Sequence, residues 1–453
     1  MFSRLVKYPG RILTGIIVIT LTGLVMVFFS LDHHHGTRKN DRSLVILREA
    51  YAAVLQNYVE KSDGKALTLK MVDGMLAALD PHSAYLPPEP YHEMEMQISG
   101  SFGGVGIELG TRDGKLTVIA PIDDTPAFRA GIQANDHIAK IDGIATTGMN
   151  IAAAVKRMRG EKGTLVTVTI LRADNGKPLV VKLIRDIIRI RSVKPKLLDA
   201  GVGLIRISQF QERTGTDFKE ALQQLHLKAG GRLKGLILDL RYNPGGLLNS
   251  SVEVVNCFVG DDIKNAVIVS TRGRAADANR IFNGTMGTKE PVYPMVVLIN
   301  GGSASASEIV AGALQDHKRA VVMGTTSFGK GSVQSIIPMK GNAALKLTTA
   351  RYYTPSGRSI QAKGIVPDIE VSALKEVVPQ PEKHRQEIKE KDLDNRLAPV
   401  EKPATVRPVL PPSPVVGSAP LDQEMQKDFQ LRRAMELLQS LAQLQEKGMV
   451  LPQ

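Results

Sequence analysis

The chain has 453 residues, enough for two or three domains, and 43% of them are hydrophobic, so it can bury substantial cores. Its net charge of +13 comes without tryptophan and with basic residues dispersed along the chain, which argues against a nucleic-acid-binding protein. A single cysteine, Cys257, excludes an intrachain disulfide and a cysteine-based zinc site. It lies in an apolar helical pattern, so we predict a buried hydrophobic residue rather than a nucleophile.

Residues 12–31 form an uncharged run of 20 residues, preceded by Arg4, Lys7 and Arg11. This length matches the roughly 30 Å hydrocarbon layer of a membrane. The basic residues before it predict a cytoplasmic N-terminus. We therefore predict that residues 1–31 are an uncleaved transmembrane anchor, with a cleaved signal peptide as the alternative. We therefore expect a single-pass membrane protein whose remaining residues are exported.

Residues 41–97 have the spacing of amphipathic helices, interrupted by a proline-rich turn that begins at Asp80. We expect these helices to serve in packing or dimerisation. Taken alone, they carry no chemistry.

Residues 98–186 differ, because they combine short strands with glycine-rich turns. The segment Gly100-Ser-Phe-Gly-Gly-Val-Gly-Ile-Glu-Leu109 can expose backbone N–H groups that capture a carboxylate. Together with Ala130-Gly-Ile132 and Asp136-His-Ile-Ala-Lys-Ile-Asp-Gly143, it resembles a PDZ domain. The resemblance implies binding of a protein C-terminal tail by strand addition. The peptide-binding loop would comprise Gly104, Val105, Gly106 and Ile107, with a helix near residues 149–158 as the second wall of the groove.

From residue 187 to residue 371 the pattern changes to alternating strands and helices of an α/β domain. Residues 372–420 are rich in proline and charge, which predicts a semi-extended linker. Residues 421–448 form an amphipathic helix, which we expect to pack on a partner or on the N-terminal helices.

Chemistry in such α/β domains sits where loops leave strand ends. Two strand-to-helix loops there are rich in glycine and small polar residues, the Asn243 turn at residues 243–246 and the loop at residues 301–307. The second loop contains the serine-rich turn at residues 303–307, and the glycine-flanked Lys330 follows the next strand. A buried, neutral lysine can remove the proton of a serine hydroxyl, and a helix that begins at Ser305 would help to hold an oxyanion. A nucleotide-binding loop is disfavoured because glycine follows Lys330. A Ser-x-x-Lys pair of the penicillin-enzyme type, from Ser327 to Lys330, is disfavoured because the glycines indicate a loop rather than a helix.

A structural alternative exists for the serine-rich turn. Its hydroxyls and Glu308 have the spacing of a helix N-cap, which requires no catalysis. The residues themselves leave these two interpretations open, and they do not choose among the serines.

Three motifs resemble those of the carboxyl-terminal processing, or tail-specific, serine proteases. They are Asp239-Leu-Arg-Tyr-Asn-Pro-Gly-Gly246, Asn300-Gly-Gly-Ser-Ala-Ser-Ala-Ser-Glu308 and Phe328-Gly-Lys-Gly-Ser-Val-Gln334. The resemblance covers roughly residues 41–370. It implies Ser305 as the nucleophile, Lys330 as the base and Gln334, one helical turn later, as its assistant. It also implies that the oxyanion is held by the backbone N–H groups of Ala306 and of a glycine, with Gly246 chosen over Gly245.

The same resemblance implies the fold class and the activity. We expect an α/β core of the crotonase-like ββα spiral type with an inserted β-rich PDZ domain, a helical N-terminal region and the transmembrane helix. The expected activity is a Ser-Lys endopeptidase that cleaves proteins near their C-termini, without metal or cofactor. The partners would be protein tails and the membrane, and an oligomer through the terminal helices and an adaptor are compatible with this expectation. The alternative is a catalytically inactive PDZ scaffold.

Overall fold

The computed structural model describes residues 41–172, 177–260, 266–287, 289–372, 388–399 and 428–446. The chain divides into two compact units, Met1–Met75 and Leu76–Gln453. The predicted transmembrane anchor, residues 1–31, lies outside the described residues. None of the helices within the described ranges is both long and apolar enough to cross a membrane.

The first unit is helical where it is described, as the sequence predicts. Helix α1 spans Asp41–Asn57, and helix α2 spans Gly64–Ala77. The Tyr51 hydroxyl donates to the Gly64 carbonyl at 2.9 Å and links the end of one helix to the start of the next. Several apolar side chains of α1, including Leu44 and Ile46, are exposed.

The second unit begins at Leu76, shortly before the proline-rich turn. Strand β1, Ala84–Leu86, follows the turn, and helix α3 then spans Pro88–Ser99. Proline is tolerated in the first turn of α3, because the N–H groups there have no acceptor within the helix. At the other end, Gly100 has φ of 68° and ends the helix in the left-handed conformation.

The module predicted to resemble a PDZ domain is a small barrel-like set of antiparallel strands with two short helices. Its elements are β2 Ser101–Gly104, β3 Ile107–Arg112, β4 Lys115–Pro121, α4 Pro126–Arg129, β5 His137–Ile141, β6 Ile144–Ala145, α5 Ile151–Met158, β7 Leu165–Leu171, β8 Leu179–Ile184 and β9 Asp186–Arg189. The main sheet has the order β3-β4-β5-β7-β8, with β6 on β5, and β2 pairs with β9. Strands such as β7 alternate buried and exposed residues, so only one face of the sheet contributes to the core.

The α/β domain is built on a six-stranded sheet of order β10-β11-β12-β15-β16-β19. Its elements are β10 Val193–Leu197, β11 Val202–Ile207, α6 Thr214–Lys228, β12 Gly235–Asp239, α7 Leu248–Asn256, β15 Met295–Ile299, α8 Ala306–Asp316, β16 Val321–Gly324 and β19 Ile369–Glu370. All neighbouring strands are parallel except the pair β10 and β11. The loops after β12, β15 and β16 therefore leave the same edge of the sheet, and these are the loops with the three motifs.

A second, antiparallel sheet lies beside this edge. It comprises β13 Val267–Gly273, β14 Arg280–Asn283, β17 Ser332–Met339 and β18 Ala343–Tyr353, together with β1. Its order is β1-β18-β13-β14, and β17 pairs with β18. Because β17 begins two residues after Lys330, this sheet fixes one end of the lysine loop. Cys257 is buried beyond the end of α7, and burial raises the pKa of its thiol to about 11, in agreement with a core residue.

The C-terminal helix, α9, spans Phe429–Glu446. The prediction that it packs on a partner or on the N-terminal helices was wrong. Its buried residues Leu431, Ala434, Met435 and Leu438 pack on the core sheet, in a cluster with alternate residues of β12 and β15. Both faces of these parallel strands are apolar, so the face opposite α6, α7 and α8 requires a cover of its own, and α9 provides it.

Ion pairs fix the start of α9 to the strand end that leads into the Asn243 turn. Arg241, which is buried, binds Asp239 at 2.9 Å and Asp428 at 2.6 Å. Gln430 accepts from Arg241 and donates to the Val371 carbonyl. The described part of the predicted linker is also not extended in solvent, because Glu390 within residues 388–399 is completely buried.

Candidate active site

Three serines occupy the turn between β15 and α8, and their surroundings differ. Ser303 and Ser307 are completely buried, and their hydroxyls donate to the backbone carbonyls of Leu240 and Asn243. Ser305 is half-buried, and its hydroxyl donates to no backbone carbonyl among the described residues. The geometry therefore distinguishes Ser305 from its neighbours as the accessible hydroxyl.

Ser305 has a strained backbone, with φ of 54° and ψ of −113°. Such a conformation costs a non-glycine residue about 1–3 kcal/mol and persists where the surrounding structure enforces it. Here it places Ser305 immediately before the first residue of α8, where unpaired N–H groups and the helix dipole favour negative charge.

The carboxylate of Glu308 holds this turn against the lysine loop. Glu308 is completely buried, and it accepts from the N–H of Ser305 at 2.8 Å and of Lys330 at 2.9 Å. It also accepts from the Gly329 N–H at 2.7 Å and from the Ser327 hydroxyl at 2.5 Å. One buried side chain thus fixes the backbone of both candidate catalytic residues. Burial raises the pKa of Glu308 to about 7, against the effect of these four hydrogen bonds.

Lys330 is half-buried at the end of the glycine-rich loop. Burial lowers the pKa of Lys330 to about 8, and the nearby charge of Lys346 acts in the same direction. The carboxylates of Glu390, Glu308 and Asp80 oppose this shift. A substantial fraction of Lys330 is therefore neutral near pH 8, as a general base requires.

The side chains of Ser305 and Lys330 make no direct hydrogen bond with each other in the described structure. Catalytic hydrogen bonds are often long before substrate binds, so this geometry is compatible with a dyad. Tyr352 lies between the two residues, because its buried hydroxyl donates to the Lys330 carbonyl and also interacts with the Ser305 side chain. Burial raises the pKa of this hydroxyl well above its ordinary value, so Tyr352 stays protonated. The sequence analysis did not identify Tyr352.

Within the described ranges, the backbone N–H groups of Ala306 and Gly246 have no acceptor. Gly245, the other candidate, donates its N–H to the Asn243 side chain at 2.9 Å. Glycine is nevertheless required at residue 245, where φ is 101° and a Cβ atom would lie 2.8 Å from the Cβ of Ser305. The choice of Gly246 over Gly245 as an oxyanion donor stays a prediction.

Gln334 does not follow Lys330 by a helical turn, and this part of the prediction was wrong. Gln334 lies on strand β17, and its amide donates to Ser332 at 3.0 Å and to Thr348 at 3.3 Å. Thr348 in turn donates to Asp80 at 3.0 Å. Asp80 lies in the proline-rich turn to which the sequence analysis assigned no chemistry. Asp80 and Thr348 are more than 250 residues apart in the sequence, so no local sequence pattern reveals their contact.

The loop predicted to bind peptide lies at one edge of the β-rich module. The carbonyl of Val105 accepts from Ala127, and the carbonyl of Gly106 accepts from Ile122 and from the Thr125 hydroxyl. The N–H groups of Val105 and Gly106 have no acceptor among the residues described. Strand β3, which begins at Ile107, is an edge strand of the described sheet. Clusters of three or more His, Cys, Asp or Glu residues that could hold a metal are absent from the described ranges.

Comparison with known proteins identifies the family. The model of peptidase family S41 matches residues 201–371, and that of the PDZ domain matches residues 103–183. A carboxy-terminal-processing protease of Bartonella bacilliformis is 46% identical over 345 residues, which cover 76% of this chain and 77% of that protein. The chain belongs to peptidase family S41. It is therefore a serine-type peptidase with a PDZ domain.

Other relatives extend the comparison. The carboxy-terminal processing protease CtpB of Bacillus subtilis is 37% identical over 337 residues, which cover 74% of this chain and 68% of that protein. Among solved structures, a photosystem II D1 C-terminal processing protease is 29% identical, with a TM-score of 0.43, over 74% of this chain and 88% of that chain.

Proposed function

We propose that this S41 peptidase is an exported, membrane-anchored endopeptidase with a Ser-Lys dyad, which cleaves proteins near their C-termini after its PDZ domain recognises the tail. One observation carries the proposal. The accessible Ser305 and the partly neutral Lys330 are both fixed by the buried carboxylate of Glu308.

In the proposed mechanism, Lys330 takes the proton of Ser305 as the serine oxygen attacks the peptide carbonyl carbon. The Ala306 and Gly246 N–H groups donate to the resulting oxyanion. Lys330 then gives the proton to the leaving amine, and water hydrolyses the acyl-enzyme by the same route. Gln334 has an indirect role in this scheme, because its amide contacts Ser332 and Thr348 rather than Lys330.

Recognition of protein tails is supported by the β-rich module. Edge strand β3 can pair with an extended peptide, and the unpaired N–H groups of Val105 and Gly106 can bind a terminal carboxylate. Helix α5 packs beside β3 and would form the other wall of the groove. The relatives are named carboxy-terminal-processing proteases, which describes the same kind of substrate.

Export and anchoring rest on the sequence of residues 1–31, which would hold the enzyme at the periplasmic face of a bacterial inner membrane. The exposed apolar residues of α1 are compatible with an oligomer or an adaptor at that end of the chain. We also assign the α/β core to the crotonase-like spiral type, on the resemblance to its family.

The proposal is tested with the purified full-length protein in detergent. The substrate is an unfolded protein with an apolar C-terminal tail. The control substrate is the same protein with two aspartates at its C-terminal tail. Because Ser305→Ala removes the nucleophile and Lys330→Ala the base, each should reduce cleavage at least ~10³-fold. The aspartate tail should be cleaved more slowly by the wild type. Equal cleavage by wild type and Ser305→Ala would contradict the enzyme assignment and favour the PDZ scaffold.

A further inference from the structure

The segment 388–399 lies against the lysine loop, although its sequence resembles a linker. The Glu390 N–H donates to the Phe328 carbonyl at 3.2 Å, and the Lys389 ammonium donates to the Thr326 carbonyl at 3.2 Å. Both contacts are on the stretch that leads into Lys330. The segment thus binds the backbone of the loop directly.

The side chain of Glu390 reaches further into the protein. Its carboxylate is completely buried and accepts from the Gln361 amide at 2.7 Å. The oxygen of that amide accepts from the Gly331 N–H at 2.9 Å, directly after Lys330. The other carboxylate oxygen of Glu390 lies 2.7 Å from Nε2 of His82. Glu390 therefore connects the loop after β16, the Gln361 turn and the Asp80 turn, three segments that are far apart in the sequence.

A carboxylate that is completely buried is costly unless its charge is compensated. The compensation available to Glu390 comes from its hydrogen bonds with Gln361 and His82 and from the nearby charge of Lys330. The other charged groups that act on Lys330 are Glu308 from α8, Asp80 from the N-terminal turn and Lys346 from β18. Among the charged groups that act on Lys330, Glu390 is the one contributed by the segment 388–399.

We propose that Glu390 is a positioning residue of the Ser-Lys site, which holds the Lys330 loop through Gln361 and stabilises the lysine ammonium that forms when Ser305 loses its proton. This inference rests on the proposed function. It assigns to residues 388–399, which lie beyond the segment matched by the family model, a part in the active site.

The test compares three full-length variants, Glu390→Gln, Glu390→Ala and the control Asp394→Asn. Asp394 is exposed in the same segment, so its substitution makes the same change of charge without the buried contacts. The kcat and KM values for the unfolded substrate are measured from pH 5.5 to 9.5, and circular dichroism reports folding at each pH.

Glu390→Gln keeps the size of the side chain and removes its charge. The expected result is a kcat reduced about tenfold with little change in KM, and an acidic limb of the kcat profile that moves to lower pH by roughly half a unit. Glu390→Ala should show the same shift with a further loss of kcat, whereas Asp394→Asn should match the wild type. A structural role alone would lower activity without moving the limb.

An unchanged limb and kcat in Glu390→Gln would overturn the inference. So would an identical shift in Asp394→Asn, which would indicate a general surface-charge effect. Neither result would affect the proposed function, which is judged separately by the loss of cleavage in Ser305→Ala.

Discussion

The catalytic loops and the PDZ module use their polar groups in opposite ways. Around Ser305, the carboxylates and side-chain amides are buried and hydrogen-bonded, as in Glu308, Asn243 and Gln361. In the PDZ module the strands alternate buried and exposed residues, β3 is an edge strand, and two loop N–H groups have no acceptor among the described residues. Under the proposed function, the chemistry would depend on a fixed site, whereas recognition would depend on a surface that the substrate completes.

The largest effect is expected from breaking the fixed site at Glu308. Glu308→Ala leaves three N–H groups and the Ser327 hydroxyl without their acceptor. Each buried donor without a hydrogen-bond partner lowers the free energy of unfolding by about 1–3 kcal/mol. We expect at least a ~100-fold loss of kcat and a lowered free energy of unfolding, measured by denaturant titration. Glu220→Ala, on the exposed face of α6, is the matched control and should change neither value.

The pH dependence of kcat/KM also tests the fixed site. Lys330 acts only when neutral, and its pKa of about 8 means that kcat/KM should rise as pH rises through 8 and level off above it. Below that value the rate should fall about tenfold per pH unit, so that pH 6 gives ~1% of the plateau. Protonation of Glu308, with a pKa of about 7, should steepen the fall at the acidic end. A profile that is flat between pH 6 and 9 would exclude Lys330 as the base.

A smaller effect is expected when the recognition surface is altered. At Gly106, φ is 78° and a Cβ atom would lie 2.3 Å from Thr125, so Gly106→Ala must distort the loop. We expect about a tenfold loss of the preference for the apolar tail over the aspartate tail, with cleavage of the aspartate tail unchanged. Gly143→Ala is a close control, because Gly143 has the same φ of 78° and a Cβ atom there would meet nothing within 4 Å. Equal loss of preference in both variants would count against the loop as the tail site.

The parts of the site that the sequence predicted are local. The serine turn, the lysine loop and the Asn243 turn each follow a buried strand of one parallel sheet, so their proximity follows from strand order. The sequence pattern alone does not select Ser305 among the three serines. Their hydroxyls are chemically alike and differ only in burial and in their hydrogen-bond partners. The helical spacing expected for Gln334 was wrong, because Gln334 lies on strand β17.

The parts that were missed are non-local. Asp80, Tyr352 and Glu390 approach the lysine loop from segments separated by as many as 308 residues, and nothing in their own neighbourhoods indicates a site. The position of α9 was missed for a related reason. A helix with one apolar stripe does not specify which surface it covers, and the uncovered face of the core sheet becomes evident only when the sheet is built.

The ion pairs of Arg241 have a consequence for how the protein matures. Ribosomes synthesise the chain from its N-terminus, so Asp428 and helix α9 emerge after the strands of the core sheet. Until they arrive, the guanidinium at the base of the Asn243 turn lacks one of its two carboxylate partners, and one face of the core sheet lacks its cover. We therefore expect the Asn243 turn to reach its final structure only after α9 has been synthesised.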